Sequence, residues 1–174
     1  MAVREILLLG NPQLHEVSLE VERDELPDLG GIIQDLHDTM MDFRARRGLG
    51  RAIAAPQIGV MKRVVYMNTG EPLVFINPRL IPAGDETMEV WDDCMSFPEL
   101  LVRVERYRAC RIEYLDIDWN ASAMELEGDL SELLQHECDH LDGILAVERA
   151  IDCRSFALRG STSRFPRRTP RELR

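Results

Sequence analysis

His136-Glu137-Cys138-Asp139-His140 sets two imidazoles four residues apart with a carboxylate directly after the first. On a helix that spacing puts both rings on one face, one turn apart, where they can share a metal ion. Glu137 lies roughly 100° further round, at the edge of such a site, which suits a general base better than a ligand. The chemistry on offer is hydrolysis, in which a divalent ion polarises water and a carboxylate takes its proton. A pattern this short also arises on solvated helix faces, so the rest of the chain has to decide. A hydrolytic metal site needs a third protein ligand and one open position. Cys94, His15, His37 and several acids are candidates, and spacing alone does not choose among them.

The motif-bearing helix is expected to start near Asp129 and to stop at Gly143. Asp129-Leu-Ser-Glu132 has the form of a capping box, with Asp129 as N-cap. Two turns before His136, Asp129 also points to roughly the ligand face of the helix. A longer helix is expected over Leu26–Arg47, where Leu26, Leu29, Ile32, Ile33, Leu36, Met40 and Phe43 recur at helical steps before Gly48. Gly48 to Gly59, rich in small residues and holding a proline, lets a backbone come close to something else. Strands are expected at Arg63–Met67, Leu73–Asn77, Thr87–Trp91, Leu101–Arg106, Cys110–Asp116 and Ala123–Glu127, with Asn77-Pro78 closing the second. Ile6–Leu9 reads as a short strand or extended segment. The expected fold class is α+β: short antiparallel strands packed around the central motif-bearing helix, with a second long helix towards the N-terminus.

At 174 residues the chain has the size of one domain, expected over residues 1–158. A net charge of −10 disfavours DNA and other nucleic-acid binding as the main task. That charge is unevenly spread: residues 159–174 hold six arginines and one glutamate, so this stretch is +5 and the remainder −15. Such a tail reads first as a flexible, solvated end and second as a contact for ribosomal RNA. No stretch resembles a secretory signal or a membrane span, which leads to the expectation of a cytoplasmic protein without a membrane partner. In that compartment the cysteines are free thiols or ligands, with Cys110, Cys138 and Cys153 expected as small buried side chains.

Three separated segments resemble the peptide deformylase family, whose ordered pattern is G-x-G-x-A-A-P-Q, then E-G-C-L-S, then Q-H-E-x-D-H-L-x-G. This chain has Gly50-Arg-Ala-Ile-Ala-Ala-Pro-Gln57, Asp92-Asp-Cys-Met-Ser96 and Gln135-His-Glu-Cys-Asp-His-Leu-Asp-Gly143, the last in full and the first two in part. The resemblance covers roughly residues 4–150 and implies Cys94, His136 and His140 as metal ligands, with Glu137 as the acid and base. It further implies Gln57 and the Met95 N–H as donors to a developing oxyanion, and Asp139 with Arg106 as a supporting ion pair. Gly50, Arg51, Ala52 and Ile53 would form the edge along which an extended substrate lies, and Asp129 and Leu133 would line its side-chain pocket. In similar enzymes the usual ion is Fe(II), and Zn, Ni or Co substitute.

The departures lie close to the reaction. Arg51 stands where the family is usually apolar, Ala52 replaces a glycine, Asp92 a glutamate and Asp93 a glycine. A second charge at Asp93 is expected to make the Cys94 thiolate harder to form without metal. The function implied is release of formate from N-formylmethionyl peptides or nascent chains. Its rivals are an amidase acting on another N-acyl substrate, and a metal-binding, ribosome-associated protein without turnover.

Overall fold

Helix α1 (Leu26–Arg47) has Pro27 in its first turn and ends where Gly48 adopts φ +68°, with Arg44, Arg46 and Arg47 at the negative end of its dipole. Its apolar stripe buries Leu29, Leu36, Met40 and Phe43 against Ile53, Val64 and Tyr66. The computed structural model describes residues 2–161, and among these eight strands form two antiparallel sheets. The strands are β1 (Ala52–Ala54), β2 (Val64–Asn68), β3 (Pro72–Pro82), β4 (Thr87–Asp93), β5 (Leu100–Tyr107), β6 (Ala109–Leu115), β7 (Ala121–Glu127) and β8 (Phe156–Leu158). One sheet has the order β1-β2-β3-β6-β7, and the other β4-β5-β8. Helix α2 (Asp129–Leu141) packs on strands of both, so it carries the motif through the middle of the molecule. The α+β class and both helices are as expected from the sequence.

Several expected boundaries move, each for a local reason. β3 does not close at Asn77-Pro78 but runs on to Pro82, because a bulge between Ile76 and Arg79 absorbs the proline. Asn77 takes φ +50° there, and its side-chain amide replaces a strand partner by bonding both the N–H and the carbonyl of Val21. β1 falls within the small-residue stretch that gave no strand signal. β8 lies beyond Ile151, and Arg159 is docked after it, its guanidinium on Asp93 at 2.7 Å and on the Pro98 carbonyl at 2.9 Å. The body therefore extends past residue 158, and the rest of the expected tail, 162–174, lies outside the described residues. Cys110 and Cys138 are buried as expected, whereas Cys153 is exposed, because the Asp152–Ser155 turn holds it at the surface.

Residues 6–9 form no strand, yet the extended segment ties the motif loops together. The Leu7 N–H donates to the Gln57 carbonyl at 2.8 Å and the Leu9 N–H to the Ser96 carbonyl at 2.9 Å. Further on, the Ser18 N–H donates to the Leu141 carbonyl at the end of α2. Gly143, at φ +71°, permits this last approach, since a Cβ there would lie 2.6 Å from the His15 carbonyl oxygen. Gly143→Ala is expected to cost roughly 2–3 kcal/mol in urea denaturation, against about 1 kcal/mol for Gly48→Ala, which shares the positive φ but has open space. Equal costs would show that the contact with the N-terminal segment contributes nothing.

Candidate metal centre

α2 is buried over ten of its thirteen residues, so each of its polar side chains must find a partner. Gln135 clasps the end of β5, accepting from the Tyr107 N–H at 3.0 Å and donating to the Tyr107 carbonyl at 2.9 Å. That clasp fixes the rotation of the helix and turns His136 and His140 towards the loop after β4. There Cys94 waits: its Sγ lies 3.2 Å from His140 Nε2, and His140 Nε2 lies 3.2 Å from His136 Nε2. All three ligand atoms fall within 4.8 Å of one another and all three residues are buried.

These distances fit an ion. Tetrahedral coordination at about 2.0–2.1 Å to nitrogen and about 2.3 Å to sulfur gives ligand-to-ligand edges of roughly 3.3–3.6 Å. The tautomers fit as well. His136 Nδ1 faces Asp92 Oδ1 at 2.7 Å, which places the proton on Nδ1 and leaves the Nε2 lone pair for a metal. Burial would by itself lower the His136 pKa, but Asp92 and Cys94 outweigh it and raise it. Burial and the neighbouring His136 both hold His140 in its neutral, ligating form.

The charge on Asp92 is itself shared. Strand alternation points Asp92, Val102, Val104 and Arg106 to one side of the β4–β5 pair, all of them buried. Arg106 donates to Asp92 at 2.8 Å and to Asp139 at 2.5 Å, and Arg149 closes on the other Asp139 oxygen at 2.8 Å. The expected Arg106–Asp139 pair is thus part of a longer chain. It ends at a metal-ligand candidate through Asp92, to which no site role was given from the sequence. Two residues before Cys94 at the end of a strand, Asp92 had the signal of sharing a face with it.

Glu137 is almost wholly buried, with one carboxylate oxygen unpartnered among the described residues. Burial pushes its pKa up to about 7, with Asp92 and Glu132 adding to the shift and His136 and Arg51 opposing it. Gln57 comes from the 3-10 turn after β1. Its Oε1 accepts from the Ala54 N–H at 3.0 Å, which leaves Nε2 facing Cys94 Sγ at 3.4 Å and Ser96 Oγ at 3.3 Å. The Met95 N–H, beside the same thiol, is used by no hydrogen bond among the described residues.

A cleft of about 40 Å3 opens onto these groups. Of the residues assigned to the substrate edge and pocket from the sequence, Gly50, Arg51, Ala52 and Leu133 line this cleft, and Ile53 and Asp129 do not. Ile53 points to the opposite side of β1, where it is wholly buried under α1, because neighbours on a strand face opposite ways. Asp129 is exposed as the first residue of α2 and caps nothing, since the helix begins one residue earlier than a cap at Asp129 requires and Gly128 is the N-cap. The charged wall is Glu132 instead, one turn before His136, with its carboxylate 3.0 Å from Arg51. Asp93, expected to oppose the Cys94 thiolate, is offset by Arg159.

The polypeptide deformylase family model matches residues 3–155. Peptide deformylase 1 of Prochlorococcus marinus (strain MIT 9313) is 41% identical over 92% of this chain and 87% of its own. The chain belongs to the peptide deformylase family. The deformylase of Thermotoga maritima superposes with a TM-score of 0.80 at 30% identity, over 87% of this chain and 100% of that one. A Met-Ala-Ser-bound class I type b deformylase from Acinetobacter baumannii superposes with a TM-score of 0.78 at 28% identity, over 85% and 98%. Family membership makes this chain a metal-dependent deformylase, and its buried Cys94, His136 and His140 form the possible metal site.

Asp92→Asn leaves a side chain that cannot balance Arg106 or enforce the His136 tautomer. It is expected to weaken metal affinity by roughly 10–100-fold in chelator competition. Unchanged affinity in folded protein would separate Asp92 from the metal site.

Proposed function

We propose that Cys94, His136 and His140 hold Fe(II), with Zn, Ni or Co able to replace it, and that the chain removes formyl groups from N-formylmethionyl peptides. The observation that carries this reading is the clustering of three buried ligand atoms behind a cleft that Cys94, His136, Gln57 and Glu137 line, with one Glu137 oxygen unpartnered among the described residues. When bound, the divalent ion supplies Lewis acidity and brings water deprotonation towards neutral pH. Glu137 takes the proton from water and delivers it to the leaving nitrogen as the formamide C–N bond breaks, giving formate and a free amino terminus. A raised pKa near 7 lets one carboxyl group do both. Gln57 Nε2 and the Met95 N–H donate to the carbonyl oxygen as its charge develops.

Substrate orientation comes from β1. Because the Asn68 N–H donates to the Arg51 carbonyl, antiparallel alternation turns the main-chain groups of Ala52 away from β2, towards the unpaired edge. An extended peptide can add there as a further strand. Met-Ala-Ser bound to the Acinetobacter baumannii relative supports a peptide of that kind as ligand. Nascent formylated chains place the work in the cytoplasm, and no helix of the described residues is long and apolar enough to cross a membrane.

Anaerobic, iron-loaded protein is expected to release formate from formyl-Met-Ala-Ser, and no release from folded, loaded protein would end this reading. Glu137→Gln should keep its metal and lose at least about 100-fold in turnover, whereas Cys94→Ala should lose metal by direct metal analysis. The basic tail has ribosomal RNA contact as its second reading, after a solvated end, and truncation separates the two. Removal of residues 162–174, which leaves the docked Arg159 in place, reduces salt-sensitive cosedimentation with ribosomes if the tail contacts RNA and leaves it unchanged if the tail is a solvated end.

A further inference from the structure

One wall of the cleft takes no part in the chemistry above. Arg51, directly before β1, and Glu132, in the first turn of α2, meet there at 3.0 Å with side chains only 15% and 12% exposed. Glu132 precedes His136 by one turn, so helix geometry directs it to the same face as the ligands. Arg51 adjoins Ala52, which offers the free strand edge. The leading side chain of a peptide on that edge, with its formyl group at the metal ligands, therefore meets this pair. A guanidinium has five N–H donors, and among the described residues that of Arg51 donates only from Nη2, to Glu132.

The pair decides which side chain fits. A purely aliphatic side chain would remove the remaining water from two charges and return no hydrogen bond. An unbranched side chain that ends in an acceptor fills the same space and takes an N–H from Arg51. We propose that the Arg51–Glu132 pair makes this subsite select N-formyl peptides whose first residue is unbranched and ends in a hydrogen-bond acceptor. Formylmethionine sulfoxide meets both conditions while keeping the methionine length. This inference rests on the deformylase reading above.

The test compares formyl-Met(O)-Ala-Ser, formyl-Gln-Ala-Ser, formyl-Met-Ala-Ser and formyl-norleucine-Ala-Ser on metal-loaded full-length protein. Wild type is expected to process the sulfoxide and glutamine peptides at least as well as the norleucine one, by kcat/KM. Arg51→Leu with Glu132→Leu, which exchanges the pair for apolar groups and strands neither charge, should lower both ratios by about tenfold, mainly through KM. A wild-type preference for norleucine overturns the proposal, whether or not the double variant folds. So does a change of less than about threefold in the variant, a difference too small for a lost hydrogen bond to a charged group. Should no peptide release formate, the deformylase reading fails, and calorimetric binding of Met(O)-Ala-Ser against norleucine-Ala-Ser still decides the subsite: tighter sulfoxide binding supports it, and tighter norleucine binding overturns it.

Discussion

Asp92 keeps its charge in the interior because Arg106 and His136 close on it from two sides. Burial alone would drive this carboxyl towards its neutral form, yet the two cationic or hydrogen-bonding neighbours hold it well below the usual carboxylate range. Much else follows from that balance. Arg106, itself buried, requires a second acid, and Asp139 supplies it from α2, three residues beyond His136. Arg149 then offsets the second charge of Asp139 from the solvent side. Two acids and two arginines leave this chain neutral when His136 is neutral, which is the state a metal ligand needs. The same contacts bind β4 and β5 to α2, so the element carrying Cys94 and the element carrying both histidines cannot shift independently.

A second set of contacts fixes the other half of the site. Gln57 can present its amide nitrogen only because its oxygen is held by the Ala54 N–H, and its main chain is held by Leu7. Leu9 does the same for Ser96, so one extended segment near the N-terminus sets the spacing between the 3-10 turn after β1 and the loop after β4. Arg44 works from the far side, donating to the carbonyls of Gly50 and Asn68 and holding the entrance to β1. Polar groups that a helix or strand would ordinarily satisfy are here satisfied across loops, which lets irregular backbone sit rigidly beside a catalytic centre.

This division explains what could be read from the sequence. The helix from Leu26 to Arg47 and the motif from Gln135 to Gly143 announce themselves, because periodicity and glycine stops are local signals. Cys94 came only through resemblance, since a ligand 42 residues from His136 has no spacing rule to reveal it. β1 was hidden by its composition: three small residues carry little strand propensity, and it is the pairing with β2 that makes them a strand. β3 was cut short at Pro78 because a bulge is a tertiary solution to a proline and leaves no local mark. Asp129 is the first residue of α2 rather than its N-cap and lies exposed outside the cleft, whose acidic wall is Glu132.

Glu132 shows why such small shifts in register matter. An α-helix that turns His136 into a cleft necessarily turns residue 132 the same way, so recognition and catalysis share one face of α2. A lone carboxylate there would add to the burial that already raises the Glu137 pKa and hold its proton more tightly still. Arg51, paired with Glu132, acts on Glu137 in the opposite sense and lowers its pKa. The arginine that departs from the family pattern and the glutamate one turn before the metal ligands therefore act as one ion pair in the cleft wall. Removing one partner would leave the other as an uncompensated, largely buried charge, whereas with both in place the wall is charged and the Glu137 pKa lies at about 7.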